Sequence, residues 1–400
     1  MTSLVHRGPS AGQASRAGLA SPPVAGGSPW LVVLQAGAAL AAGIGVGRFV
    51  YTPILPAMRE QAGLSAGLAG ALATANHLGY LVGALAGILV PSLLRSGRTL
   101  RASLIALVAS LALMPVAQDG AAWLGLRFIA GVASAVVFMI AVSAMLTRPR
   151  GHGDHLMGWG FGGVGAGIAL SGLLVLVLRS VSDWRMAWLA SAALALALTA
   201  GAWALAPTPA PSGDAGPERT TARRWFSALL AAYSLEGVGY IIAGTFLVAA
   251  IQQRAGGAVG GAAWVVVGLA ELPSTALWAW LACRRSAPLL LTTALLVQSV
   301  GIALPAVVGG TAPALVSAAL FGATFIGIGA LAFAIGRHLR FPRAVAILTT
   351  GYSAGQVLGP LVVTPLLRHG YHQALLVGAG VVLAAAVAAG VLRVRFPEQV

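Results

Sequence analysis

The feature that most constrains this chain is a succession of long hydrophobic stretches that carry almost no charge. Of its 400 residues, 58% are hydrophobic and only 8% are charged, whereas a soluble domain carries about 25% charged residues. A soluble fold of this size could not cover its surface with so few polar groups, so lipid must surround most of it. A membrane helix needs roughly 20 apolar residues, and stretches of that length fill the sequence.

Twelve such stretches can be counted between short breaks that contain arginine, glycine or proline. The predicted spans are 30–58, 66–93, 99–118, 121–146, 157–179, 184–206, 225–252, 258–282, 287–308, 312–336, 343–367 and 373–394. Residues 207–224 form the one long polar break, and the four prolines there disfavour a helix interior. We therefore predict six-helix bundles at 29–206 and 225–400, joined by a cytosolic linker. Residues 1–28 are expected to be a disordered cytosolic tail.

The distribution of arginine predicts how these spans are oriented. All 24 basic residues are arginine; with the N-terminus inside, 17 fall in cytosolic segments, five in outside segments and two, Arg48 and Arg127, within spans. Positive charge stays preferentially in the cytosol, so both termini are predicted to be cytoplasmic. Because the arginines form no patch, the net charge of +15 does not indicate nucleic-acid binding.

The two halves of the sequence echo one another. An offset of 192 residues relates two glycine pairs in the first half to two in the second, namely Gly45 and Gly47 to Gly237 and Gly239, and Gly163 and Gly167 to Gly355 and Gly359. Since both halves begin on the same side, the repeat is parallel, about an axis along the membrane normal. The predicted fold class is thus an all-α polytopic membrane protein with twelve transmembrane helices in two six-helix bundles.

Twelve spans, a central linker and parallel halves resemble the major facilitator superfamily of secondary transporters. RSGRTLR (Arg95–Arg101) is similar to that superfamily's cytosolic loop signature, although Leu94 occupies the acidic position. RFIAG (Arg127–Gly131) is similar to a motif tied to proton coupling. GIGVGRFVYTPILPAM and YSLEGVGYIIAGTFL resemble the YbfB/YjiJ-type family of bacterial carriers. The resemblance implies a monomeric carrier in a bacterial inner membrane.

Ionisable groups inside the membrane are the best pointers to function. Arg48 either snorkels to the outer surface or lies in the outer half of a central cavity, where its fork can hold a carboxylate or phosphate; Tyr51 follows on a similar face. Glu236, near mid-membrane, either makes a structural hydrogen bond or carries a proton. Tyr240 is the pseudo-symmetric partner of Arg48, and we hypothesise that Arg48 pairs with Glu236 in the empty cavity.

The other candidates also have two interpretations each. Glu271, just before Pro273, is a second mid-membrane carboxyl that is either structural or proton-carrying. Arg127 is functional by resemblance or anchors a helix end at the interface. The remaining polar candidates either contact substrate or protons or bond neighbouring helices: Asn76, His77, Gln298 and Gln356. Candidates for aromatic cavity lining are Trp159, Tyr233 and Tyr352.

These features predict a secondary transporter that works by alternating access, proton-coupled through Glu236 or Glu271, for a small solute such as an organic anion or a drug-like compound. The absence of lysine excludes a P-loop ATP motor, and nothing indicates an enzyme, a cofactor or a metal. The single cysteine, Cys283, excludes a disulfide framework or a cysteine-cluster metal site. The alternatives are a non-transporting sensor or partner protein on a carrier fold, and an uncoupled facilitator.

Overall fold

The computed structural model describes residues 29–146, 155–207, 220–341, 344–394 and 396. We number the membrane helices in chain order: α1 Trp30–Gln61, α2 Ala66–Leu89, α3 Gly97–Leu113, α4 Gly120–Leu146, α5 His155–Leu178, α6 Trp184–Ala202, α7 Thr220–Ala255, α8 Gly257–Ala282, α9 Ala287–Val307, α10 Thr311–His338, α11 Ala344–Arg368 and α12 His372–Val391.

The predicted set of twelve spans is confirmed. Eleven of these helices are long and apolar enough to cross a membrane by length and composition. The twelfth, α3, has 17 residues, which at about 1.5 Å per residue still reaches the lower limit for a span. Helix α7 begins at Thr220, five residues before the predicted span, while residues 1–28 and most of the predicted linker lie outside the described part of the chain.

The helices form two bundles, α1–α6 and α7–α12, whose packing is related by the predicted repeat. Within the first bundle α2 packs on α4 and α1 on α5; within the second α7 packs on α11 and α12, and α9 on α10 and α12. Between the bundles α2 packs along α11 and α5 along α8. These two pairs are equivalent under the repeat, because α2 corresponds to α8 and α5 to α11.

Small residues allow the bundles to approach closely along α5 and α8. A Cβ atom added to Gly162 would lie 2.5 Å from the Leu272 carbonyl oxygen, and one added to Gly165 would lie 2.5 Å from the Gly268 carbonyl oxygen. Glycine at these positions therefore brings the two backbones into direct contact. Other glycines make similarly close contacts inside the bundles: Gly83 with α4, Gly167 with α1 and Gly359 with α7.

The two ends of the molecule differ in how extensively the two bundles contact each other. We call the end with the α1–α2 connection distal and the end where α1 begins proximal. The part of α1 after Arg48 packs across the bundle boundary on α7. Among the described residues, α4 has no extensive contact with the second bundle, and α10 contacts the first mainly through the Phe325 ring, 5.7 Å from that of Phe49. The described helices are thus closed distally and separated between α4 and α10.

Candidate functional site

The site is built around a break in α1. Residues Ala41–Val46 form a π-helix and the α-helix resumes at Tyr51. Pro53 has no N–H and cannot bond the Phe49 carbonyl in the helical pattern. The Thr52 N–H donates to Phe49 O instead, at 3.1 Å, and the carbonyl of Arg48 is left without its usual helical partner.

Arg127 of α4 fills this gap. Its Nη1 donates to Gly47 O at 3.1 Å and its Nη2 to Arg48 O at 3.0 Å. The side chain is 2% exposed, and its guanidinium lies 5.3 Å from the ring centre of Tyr51 and 5.8 Å from that of Trp188. Arg127 therefore lies inside the protein, and the alternative of an interfacial helix-end anchor is wrong.

Arg48 lies at the boundary between the bundles and is 5% exposed, so it does not snorkel to the surface. Its Nη2 donates to Oε1 of Gln356 on α11 at 2.6 Å and lies 2.9 Å from Nδ1 of His77 on α2. Because a guanidinium has no acceptor, Nδ1 of His77 must accept, which makes His77 neutral with its proton on Nε2. Gln356 in turn donates to the Tyr240 hydroxyl at 2.7 Å.

The hypothesised pair between Arg48 and Glu236 does not form. Within the described part of the chain the one ion pair joins Arg185 and Asp183, at 3.9 Å on the surface. The physical reason is the rotation of α7, which turns Glu236 toward Gln298 of α9, while Arg48 bonds neutral acceptors and lies with its guanidinium carbon 4.3 Å from the Tyr80 ring centre. The Arg48 Nε–H is left buried without a partner among the described residues.

Glu236 is fully buried on α7, and neither of its carboxyl oxygens has a hydrogen-bond partner among the residues that the structure describes. The buried Gln298 amide of α9 approaches it without reaching hydrogen-bond geometry. Tyr233 and Tyr240 lie three residues before and four after it, on the same helix face. A carboxyl without partners is far less costly to bury when protonated than when charged.

Glu271 is also fully buried, where α8 breaks before Pro273. Its carboxyl lies against Gly165 of α5 in the other bundle, and its oxygens have no hydrogen-bond partner in the described ranges. The two predicted carboxyls are therefore in different places: Glu236 faces a helix of its own bundle, and Glu271 lies at the contact between bundles.

Two other predicted residues bond neighbouring backbone. Asn76 donates to Arg127 O at 2.9 Å, which fixes α2 to α4. The Tyr51 hydroxyl donates to Ala69 O at 2.9 Å, which fixes α1 to α2. The Tyr51 side chain nevertheless adjoins the Arg48 network, because a narrow void is lined by Arg48, Tyr51, His77 and Arg127 together with residues of α7.

Several neighbours of the site were missed by the sequence reasoning. The Thr52 hydroxyl donates to Gly244 O across the bundles, and the Arg59 guanidinium donates to the Tyr371 hydroxyl nearer the distal end. Phe321 and Phe325 of α10 stack beside Tyr240. Their i, i+4 spacing was a usable signal, but in so apolar a sequence it does not stand out.

Two bundles of six membrane helices that are closed at one end define the architecture of a major facilitator transporter. A family model described as "Uncharacterised MFS-type transporter YbfB" matches residues 40–390. The chain therefore belongs to this family of MFS transporters.

A solved structure shows the same fold. The crystal structure of the nucleoside transporter NupG (D323A mutant) is similar with a TM-score of 0.68 and 14% sequence identity, over 91% of this chain and 99% of that chain. A search of curated protein sequences found no match. At this level of identity the likeness to NupG concerns the fold alone.

Proposed function

We propose that this protein is a proton-coupled secondary transporter of a small organic anion. The observation that carries the proposal is Arg48, a buried cation between the bundles with a partnerless Nε–H and no acid in ion-pair contact among the described residues. A buried cation in such surroundings gains strongly from an anionic ligand. Its position at the bundle boundary lets an anion bias which side of the carrier is open.

The coupling part of the proposal rests on Glu236. This carboxyl lies on the α7 face that also presents Tyr240, the partner of Gln356 in the Arg48 network. A protonated Glu236 carries no negative charge that would repel an anion at Arg48. Binding of the proton and binding of the anion therefore favour each other. The proposal also places the protein as a monomer in a bacterial inner membrane, with both termini cytoplasmic as the arginine distribution favours.

A ligand screen tests anion binding. Purified protein is heated with organic acids, amino acids, sugars and drugs, and a ligand at one hundred times its Kd stabilises the folded form by about 2.7 kcal/mol. We expect organic anions to protect the parent protein and not Arg48→Gln, whereas the exposed Arg98→Gln keeps the response. Protection by neutral or cationic compounds alone contradicts the proposal.

Proteoliposomes loaded with a protecting anion test coupling. We expect an imposed pH gradient to drive accumulation by the parent protein, and Glu236→Gln to exchange the anion without responding to the gradient. An unchanged pH dependence in Glu236→Gln removes this residue from the mechanism.

A further inference from the structure

The surroundings of Arg48 are rich in aromatic rings on both sides of the bundle boundary. In the second bundle Tyr240 stacks with Tyr352 at a ring-centre distance of 5.4 Å, and Tyr352 stacks with Tyr233 at 4.4 Å. The interplanar angle is 13° in both pairs. These three rings form a column that begins at the Arg48 network and continues toward the proximal end. We call it the tyrosine column.

The first bundle supplies a second set of rings opposite. Tyr80 lies under the Arg48 guanidinium, with a ring centre 6.4 Å from that of Phe138, which is 6.3 Å from Phe161. Phe138 and Phe161 are partly exposed, and so is Tyr352 in the tyrosine column. Both sets therefore present ring surface on the side where α4 and α10 remain apart.

The polar groups available beside these rings are few. Asn76 bonds the Arg127 carbonyl, and Arg127 itself bonds the α1 backbone. That leaves Arg48 with Gln356 at one end of the tyrosine column, the tyrosine hydroxyls along it, and the Glu236 carboxyl on the same face of α7, to which the proposed coupling assigns a proton. A ligand rich in hydroxyl groups would leave many of its own polar groups unpaired here, which is costly in a buried site. A ligand with a single charged group and a flat apolar body would leave few polar groups unpaired.

We propose that the transported solute is an aromatic monocarboxylate, an inference that rests on the anion site proposed above. The carboxylate takes the place of Gln356 Oε1 on Arg48 and also engages the free Nε–H. The aromatic body lies between the tyrosine column and the Tyr80–Phe138 rings, where offset or edge-on ring contacts favour it over a saturated body of the same size.

The decisive comparison uses four probes of similar size or charge on the full-length protein. Benzoate has both features, cyclohexanecarboxylate keeps the charge without aromaticity, benzamide keeps the ring without charge, and butyrate keeps the charge on a small chain. We expect calorimetry to give benzoate an affinity about tenfold higher than that of cyclohexanecarboxylate, with benzamide weaker still.

A variant connects this preference to the rings. Tyr352→Leu is expected to reduce the ratio of benzoate to cyclohexanecarboxylate affinity to less than about threefold. Retained binding of cyclohexanecarboxylate shows that the variant is folded. The matched control, Trp280→Leu, removes an exposed ring on α8 far from Arg48 and keeps the tenfold ratio.

The outcomes separate the two proposals. Equal binding of benzoate and cyclohexanecarboxylate, both lost in Arg48→Gln, overturns the aromatic class and leaves the anion site standing. Tight binding of benzamide with no carboxylate binding overturns both. A benzoate preference that survives in Tyr352→Leu contradicts the placement of the ring against the tyrosine column.

Discussion

At the scale of single residues, the two buried arginines have different tasks although both were candidates for the same site. Arg127 donates to two backbone carbonyls of α1, so its bonds maintain the break that positions Arg48. Arg48 instead bonds side chains that can exchange for a ligand. Arg127 is therefore a positioning residue, and Arg48 is the proposed binding residue.

The task of Arg127 leads to a stability prediction. Arg127→Met keeps most of the side-chain volume but leaves the Gly47 and Arg48 carbonyls without these donors. Since hydrogen bonds to charged groups contribute about 1.5–3 kcal/mol each and two are lost, we expect the free energy of unfolding in detergent to fall by roughly 3–6 kcal/mol. Arg98→Met, at an exposed position, should change it by less than about 0.5 kcal/mol. Equal stability of both variants contradicts this assignment.

At the scale of elements, the sequence predicts which membrane helices exist but not where their backbone is irregular. Hydrophobic length alone identified all twelve helices, because the membrane sets a minimum span. The irregular backbone of α1 covers residues 41–50 and lies before Pro53, a position that the hydrophobic pattern does not give. Pro53 removes one helical donor, and the Gly47 and Arg48 carbonyls are bonded by Arg127, which is distant in the sequence.

The burial of the ionisable candidates was predictable from the sequence, but their contacts were not. Buried ionisable groups stand out in an apolar sequence, so Arg48, Glu236 and Glu271 could be found. Which of them meet depends on helix rotation and on the register between bundles, and neither is encoded locally. Arg48 therefore meets Gln356, 308 positions away, rather than the carboxyl that opposite charge suggested.

The α5–α8 contact gives a prediction for an element pair. A Cβ at Gly165 meets the Glu271 carboxyl and the Gly268 backbone, so Gly165→Ala must push the helices apart. We expect a loss of about 1–3 kcal/mol in unfolding free energy, as for other overpacked contacts. In Gly125→Ala the new Cβ meets nothing within 4 Å, and stability should stay or rise slightly. An unchanged unfolding free energy in Gly165→Ala would contradict close packing of α5 against α8.

At the scale of the whole molecule, α1 holds the distal end closed through a row of polar contacts. Arg48 bonds Gln356, Thr52 bonds the Gly244 carbonyl and Arg59 bonds Tyr371, and every one of these bonds joins the two bundles. Arg59 also lies over the Tyr371 ring, at 5.5 Å. Under the proposed alternating access, all three contacts must break when the distal side opens.

The outermost contact can be weakened without touching the Arg48 network. Tyr371→Phe keeps the ring and removes the hydroxyl that accepts from Arg59. A loss of about 1 kcal/mol from the closed state changes a two-state population about fivefold. Thr245 of α7 lines the void beside Arg48. In a Cys283→Ser background, we expect Thr245→Cys to react about fivefold faster with an impermeant maleimide applied distally.

The control for this measurement is Arg185→Gln, which breaks a surface pair with Asp183 and should leave the labelling rate unchanged. If Tyr371→Phe labels no faster than the parent, the Arg59 contact does not hold the distal end closed.

The pair of guanidinium groups at Arg48 and Arg127 also has an electrical consequence. Neither is in ion-pair contact with an acid in the described part of the chain. Under the proposed alternating access, an unloaded molecule that changes sides therefore moves fixed positive charge relative to the transmembrane field. Each elementary charge carried through the full field corresponds to about 2.3 kcal/mol per 100 mV. The reorientation of the unloaded carrier should therefore be sensitive to voltage, and a bound anion should reduce that sensitivity.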